Sequence, residues 1–202
     1  MARGYDLVAD AYAELECAAD WPRMRWLEDL LQRVPPHSRV LDLGCGSGLP
    51  ATRAIVERGH AVIAVDVSRE QLRRARRNVP QAEFVLASAL DLDLAPGSLD
   101  AVVSFYVIEH MPRELHATLF GSIHGWLRDE GRLLLTFEVG NRPSRVDEWL
   151  GVPMFFSHHD SATNLRLVRE AGFDVVRTAE ETQIEGGSPV PYLWVLAQKR
   201  SD

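Results

Sequence analysis

Cysteine is scarce in this chain of 202 residues: Cys17 and Cys45 are the only two. Two thiols cannot staple a small disulfide fold, and no Cys/His cluster has zinc-ligand spacing, so reduced cysteines and no metal are expected. Long apolar runs and a secretory leader are also missing, which points to a soluble, cytoplasmic protein with no membrane partner. Basic charge is in short supply. Lys and Arg total 22 against 29 Asp and Glu, a formal net charge of −7, which argues against a nucleic-acid backbone as the main partner. The one basic run, Arg73, Arg74, Arg76 and Arg77, falls on a predicted helix and reads as a solvated face. No internal repeat or low-complexity segment is present. What is there is ordinary globular material: 46% hydrophobic residues, enough for one compact domain with a good-sized core.

The chain is organised around Arg39-Val40-Leu41-Asp42-Leu43-Gly44-Cys45-Gly46-Ser47-Gly48-Leu49-Pro50. Val40, Leu41 and Leu43 supply the apolar run of a strand covered on both faces, the parallel-sheet pattern. Gly44, Gly46 and Gly48 remove three Cβ atoms where the chain must turn tightly and let a ligand reach the backbone. Cys45 fits there as a small side chain. Pro50 suits a first helical position, and Gly59 suits a left-handed cap at that helix's end. A second buried strand, Ala61 to Val65, ends in Asp66. An acid at that tip, about twenty residues past the glycines, is placed to accept both hydroxyls of a ribose. The pair, with a helix between, points to a ligand containing a nucleoside.

Around this unit the periodicities alternate. Tyr5, Val8, Tyr12 and Leu15 recur at helical spacing, as do Trp26, Leu27, Leu30, Leu31 and Val34, stopped by Pro35-Pro36. Ser68 and Gln71 form a capping box that starts a helix running to about Asn78. Strands are predicted at Glu83–Leu86, Leu99–Phe105 and Arg132–Glu138. Leu115, Leu119, Ile123, Trp126 and Leu127 make a helical stripe closed by Glu130-Gly131. Asn141 to Asp160 has no clear period and reads as a long aromatic connection with Trp149, Met154, Phe155, Phe156, His158 and His159, the kind of edge loop that carries function. Asp160 caps a helix ended by Gly172. A sixth strand starts at Phe173 and a last one spans Tyr192 to Gln198, with Gly186-Gly187-Ser188-Pro189 too long a link for a tight hairpin.

Val40-Leu41-Asp42-Leu43-Gly44-Cys45-Gly46-Ser47-Gly48 resembles the first motif of class I S-adenosylmethionine-dependent methyltransferases, and Val65-Asp66-Val67-Ser68 is similar to their second. The resemblance implies an α/β fold: a Rossmann-like, doubly wound seven-stranded sheet, mostly parallel with the last strand antiparallel and helices on both faces. It also implies that residues 1–36 form a helical lid or cap on a cofactor-binding domain of residues 37–202. S-adenosylmethionine is the implied cofactor and S-adenosylhomocysteine its product. Asp42, Gly44, Cys45, Gly46, Gly48, Asp66 and Val67 are then expected at the cofactor. Where the family places an acid for the adenine amino group this chain has Ser88, a departure. A serine hydroxyl still accepts one hydrogen bond, and Ala89 and Leu90 follow it. The tip of the fourth strand, Phe105 and Tyr106, faces the reacting centre where strand order reverses. Tyr12 and Tyr5 would fold down from the lid, Tyr12 on the cofactor and Tyr5 on the substrate.

Methyl transfer from a sulfonium needs alignment more than covalent help, and such positioning is worth about 7–11 kcal/mol. A base is needed only for a neutral acceptor. His159, His110 and Glu138 are the candidates, and Trp149, Met154, Phe155, Phe156 and His158 are candidates for lining the acceptor pocket. Ser104-Phe105-Tyr106-Val107 lacks the Asn-Pro-Pro-Tyr pattern of amino-methylating nucleic-acid enzymes, and no Pro-Cys pair offers a nucleophile. A small organic acceptor, taken by a monomer or homodimer, is therefore expected. Two alternatives stay open. Gly46, Gly48 and Ala51 also satisfy the G-x-G-x-x-A spacing of nicotinamide oxidoreductases, and the same fold can serve as a non-catalytic cofactor-binding module.

Overall fold

The computed structural model describes residues 2–17 and 21–201, and the side chains of Glu16 and Cys17 fall outside what is described. The strands are β1 (Arg39–Leu43), β2 (Ala61–Asp66), β3 (Glu83–Leu86), β4 (Leu99–Ser104), β5 (Leu127–Glu138), β6 (Arg142–Trp149), β7 (Val152–His158), β8 (Phe173–Glu185) and β9 (Ser188–Lys199). Seven of them form one sheet in the order β3-β2-β1-β4-β5-β9-β8, and β6 pairs with β7 in a separate hairpin. In the large sheet β9 alone runs against its neighbours. The order reverses between β1 and β4, so the carboxyl ends of these two strands flank the crevice where such sheets bind ligands.

Among the described residues seven α-helices accompany the strands: α1 (Ala2–Leu7), α2 (Ala9–Cys17), α3 (Arg23–Leu31), α4 (Ala51–Glu57), α5 (Arg69–Asn78), α6 (His116–Trp126) and α7 (Ser161–Glu170). Both faces of the sheet are covered, which is why the central strands read as continuous apolar runs rather than alternating ones. Leu41 and Leu43 of β1 face Phe120 and Ile123 of α6 and Val168 of α7. Val40 faces the other way, toward Trp26 and Leu30 of α3, Ile55 of α4 and Leu72 of α5. Each such side chain contributes about 1.5–3 kcal/mol by leaving water. Trp26 also stacks on Trp194 of β9, ring centroids 5.6 Å apart. Helix α3 is thus part of the sheet's core, whereas Val8, beside α1, packs with Met154 and Phe156 of β7.

Four local expectations are corrected. Residues 141–160 are largely the β6–β7 hairpin, turning at Leu150-Gly151, both with positive φ. Most of β6 is exposed, and Val146 is 62% accessible; a ribbon with no face in the main core has no apolar alternation to read. The link between the last two strands is the tight turn Gly186-Gly187, with φ of 54° and 85° and with Glu185 directly opposite Ser188. Two consecutive left-handed glycines make this the twist-matched two-residue hairpin, so Ser188 and Pro189 belong to the strand. Strand β5 begins at Leu127, and Glu130-Gly131 is an irregularity inside it, with the register shifting between Leu99 and Ala101; Leu115 lies outside α6 in a 3-10 turn. Pro50 caps α4 from outside instead of opening it.

Candidate active site

The glycine turn is welded to the neighbouring strand. The amides of Gly44 and Cys45 both donate to the Val65 carbonyl, at 2.7 and 2.9 Å. Gly44 sits at φ 78°, and a Cβ there would lie 2.1 Å from a methyl of Val107, so no larger residue fits. Gly46 differs: a Cβ built on it meets nothing within 4 Å, leaving its backbone open. Gly48, by contrast, abuts Ala75 of α5 and Val79, with a Cβ at 3.4 and 3.3 Å from them. It packs against α5 and is not among the residues that line the cavity described next.

Asp66 closes β2 with both carboxylate oxygens engaged. Oδ2 accepts from the Gly46 amide at 2.9 Å and Oδ1 from the Ser68 amide at 2.8 Å. Burial pushes its carboxyl upward while these amides pull it back. On the adjoining strand, buried Asp42 accepts from Thr52 Oγ1 at 2.5 Å. The Cys45 thiol is pushed well above its ordinary value by burial and by both aspartates, which rules out a ready thiolate nucleophile.

Between these groups lies a cavity of about 260 Å³. Asp42, Gly44, Cys45, Gly46, Asp66 and Val67 form its floor. Ser88, Ala89 and Leu90 wall one side; Phe105 and Tyr106 wall another. Tyr106 holds φ 60°, a left-handed conformation that is costly for an aromatic residue. It is pinned there by its amide donating to Thr136 Oγ1 at 2.7 Å and its hydroxyl donating to Gln183 at 2.9 Å.

Helices α1 and α2 cover this cavity with Tyr5 and Tyr12, and they are tied down at both ends. Asp6 accepts from Ser68 Oγ at 2.6 Å and from the Glu70 amide at 3.0 Å, at the start of α5. Arg74 donates to the Ala9 carbonyl and pairs with Asp10 at 2.7 Å, so the basic run is partly occupied with holding α2. On the other side Tyr5 meets His110 Nε2 at 2.8 Å, and His110 Nδ1 lies 2.9 Å from the Phe155 carbonyl. A carbonyl only accepts, so Nδ1 carries the proton; Nε2 then accepts from the Tyr5 hydroxyl. Burial lowers this imidazole from 6.5 to about 4, which keeps it neutral.

A second cavity, about 500 Å³, adjoins the first and shares Tyr5, Tyr12, Tyr106 and His110 with it. Glu138, Trp149 and Phe156 are among the residues that line it. Other expected residues lie outside both sets of lining residues. Met154 is buried under Gly4 and Val8. Phe155 contributes its carbonyl to His110 rather than its ring. His158 is buried with Nε2 3.7 Å from Glu138, behind the wall. His159 donates from Nε2 to the Arg113 carbonyl, 3.2 Å away, and stands edge-on to His116. Arg23, Glu109, Glu185 and Tyr192 join the walls without having been singled out. Glu109 had a signal, the Glu-His pair after β4; Glu185 and Tyr192 reach the site only through the β8–β9 pairing.

This fold, with a glycine turn and a strand-tip acid opening on one crevice, defines a nucleoside-cofactor α/β enzyme. The methyltransferase-domain family model matches residues 40–131. An uncharacterized methyltransferase of Synechocystis sp. is 33% identical over 153 residues, covering 71% of this chain and 70% of that protein. A trans-aconitate 2-methyltransferase of Azoarcus sp. is 40% identical over 119 residues, covering 56% of this chain and 45% of its own length. The solved structure of 1,6-didemethyltoxoflavin-N1-methyltransferase from Burkholderia thailandensis, with 1,6-didemethyltoxoflavin and S-adenosylhomocysteine bound, superposes with a TM-score of 0.75 at 23% identity, covering 98% of this chain and 85% of that one. The chain belongs to the class I S-adenosylmethionine-dependent methyltransferases. As a member of that family it is an enzyme that uses S-adenosylmethionine, and the nicotinamide reading falls away.

Proposed function

We infer that the first cavity holds the adenosine end of S-adenosylmethionine and that the second receives a small organic methyl acceptor. The observation that carries this is the junction: the two cavities meet at Tyr5, Tyr12, Tyr106 and His110. When bound, the cofactor supplies a methyl group already activated by a positive sulfur. The protein's task is then alignment and exclusion of water. Asp66, held rigid by two backbone amides, presents its remaining lone pairs to a ribose diol. Open space beside Gly46 admits the ligand against the backbone. Ser88, Ala89 and Leu90 are placed for the adenine ring, with the Ser88 hydroxyl standing where relatives of this pattern carry an acid.

His110 positions rather than abstracts a proton in this reading. Its Nε2 lone pair is engaged by Tyr5 and its Nδ1 proton by Phe155, so it fastens the covering helices. Glu138, at the tip of β5 and on the acceptor cavity, is the better-placed base for an acceptor that must lose a proton. His159 faces Arg113 and α6 and serves the fold. Residues 2–17 act as the lid, while α3 belongs to the sheet.

Replacing Asp66 by Ala is expected to weaken S-adenosylhomocysteine binding at least tenfold, the loss of one charge-assisted hydrogen bond or about 1.5–3 kcal/mol. Titration calorimetry with wild type and variant checks this. Unchanged affinity removes Asp66 from the cofactor's ribose. Release of S-adenosylhomocysteine from S-adenosylmethionine, measured across a panel of small acceptors, tests the acceptor class.

A further inference from the structure

The acceptor cavity is lopsided in charge. Glu109 from the turn after β4, Glu138 from the end of β5 and Glu185 from the end of β8 converge on it from three separate elements. At the rim Asp147 and Glu148 add two more carboxylates. The two arginines of that rim are already engaged. Arg145 pairs with Asp147 at 2.6 Å, and Arg142 bridges Asp147 at 3.3 Å and Glu138 at 3.6 Å. Arg23 spreads over Trp21 and Tyr106, 5.3 and 5.2 Å from the ring centroids, and tempers the charge on Glu185.

Glu109 is the unsatisfied member. It is 2% exposed, and its Oε2 has no hydrogen-bond partner among the described residues. Most buried side-chain polar atoms are paired, and among the described residues Glu109 Oε2 is the one buried carboxyl oxygen left without a partner, on a residue of the cavity wall, where a donating ligand would satisfy it. Burial and the charges of Glu138 and Glu185 push its carboxyl well above the usual range, a state that a neighbouring cation relieves. A metal ion fits poorly: no three His, Cys, Asp or Glu among the described residues are grouped to hold one. An organic cation fits well, because it needs one carboxylate and aromatic faces, which Tyr192, Trp149 and Phe156 supply.

We propose that the acceptor of this enzyme carries a basic nitrogen and that its ammonium group docks on Glu109, with Glu138 and Glu185 beside it. This rests on the assignment of the second cavity to the acceptor. A polycarboxylate such as trans-aconitate would meet like charge there, so the relative's named substrate does not carry over to this chain.

The test is titration calorimetry on the full chain saturated with S-adenosylhomocysteine, using three probes of one shape: phenethylamine, 2-phenylethanol and 3-phenylpropanoate. The amine is expected to bind at least tenfold more tightly than the alcohol, with no heat from the carboxylate. In Glu109→Gln the amine's advantage over the alcohol is expected to shrink at least tenfold, while affinity for S-adenosylhomocysteine, which also reports that the variant is folded, stays as in wild type. Glu185→Gln serves as the second variant, with a smaller loss in the same direction. Equal binding of amine and alcohol, preference for the carboxylate, or no binding of any probe to the saturated protein overturns the proposal. Failure of S-adenosylhomocysteine itself to bind strikes instead at the cofactor cavity, so the two readings fail separately.

Discussion

Tyr5 illustrates how much can hang on one hydroxyl. It connects a helix at the start of the chain to His110 at the edge of the sheet, 105 residues away, and through it to the β6–β7 hairpin. Its ring also stands edge-on to Tyr12 and Trp149, with centroids 5.7 and 5.8 Å away. Removing the hydroxyl leaves the ring packing intact but strands a buried imidazole lone pair. Tyr5→Phe is therefore expected to raise the acceptor KM about fivefold, the worth of roughly 1 kcal/mol of lost hydrogen bond, with a smaller change in kcat. Steady-state kinetics with any accepted methyl acceptor checks this, and equal losses in both constants would instead mark Tyr5 as part of the reacting centre. The residue scale also explains what sequence pattern could not supply. Asp66 was readable because its spacing from the glycines reflects one βα unit. Glu185 was not, because only the β8–β9 register brings it to the cavity.

Among the elements, the β1–turn–α4 unit was the most readable and the β6–β7 hairpin the least. The former obeys a strong local constraint: Gly44 has a backbone and a neighbour that tolerate nothing larger. Gly44→Ala places a methyl against Val107 in a left-handed conformation, and it is expected to abolish measurable cofactor binding and lower stability by about 1–3 kcal/mol. Adding Val107→Ala removes the steric part but not the φ part. The double variant should regain a portion of the stability, read as a urea midpoint between those of Gly44→Ala and wild type. No recovery would mean that backbone strain alone sets the requirement. The hairpin has no comparable constraint. Its residues face solvent on one side and the second cavity on the other, so neither helical nor strand periodicity marks them. The covering helices were readable as helices, but their anchoring by Asp6 and Arg74 to α5 was not, since it depends on contacts across more than sixty residues.

At the scale of the whole molecule, pH acts through groups whose titration burial shifts. His110 and His116 are both lowered by burial from 6.5 to about 4. Unfolded, they would take up protons near 6.5, so the folded state holds its full advantage above that pH and loses it as pH falls toward 4. The loss is up to about 1.4 kcal/mol per pH unit for each imidazole. The raised carboxyls of Glu109 and Glu185 work the other way, favouring the fold as pH falls. The histidine contribution is thus isolated by difference: between pH 7.5 and 5.0, the urea midpoint of His110→Gln should decline less than that of wild type. Parallel declines would mean that His110 titrates alike in both states.

The β6–β7 ribbon shares no ladder with the seven-stranded sheet, and it starts at Arg142, past residue 131 where the family match ends. The ribbon therefore meets the rest of the fold through individual contacts, the Phe155 carbonyl on His110 Nδ1 and Met154 and Phe156 against Val8, rather than through a shared ladder. Exchanging that ribbon would alter one wall of the second cavity and, through His110 and Tyr5, the fastening of the helices over the first one as well.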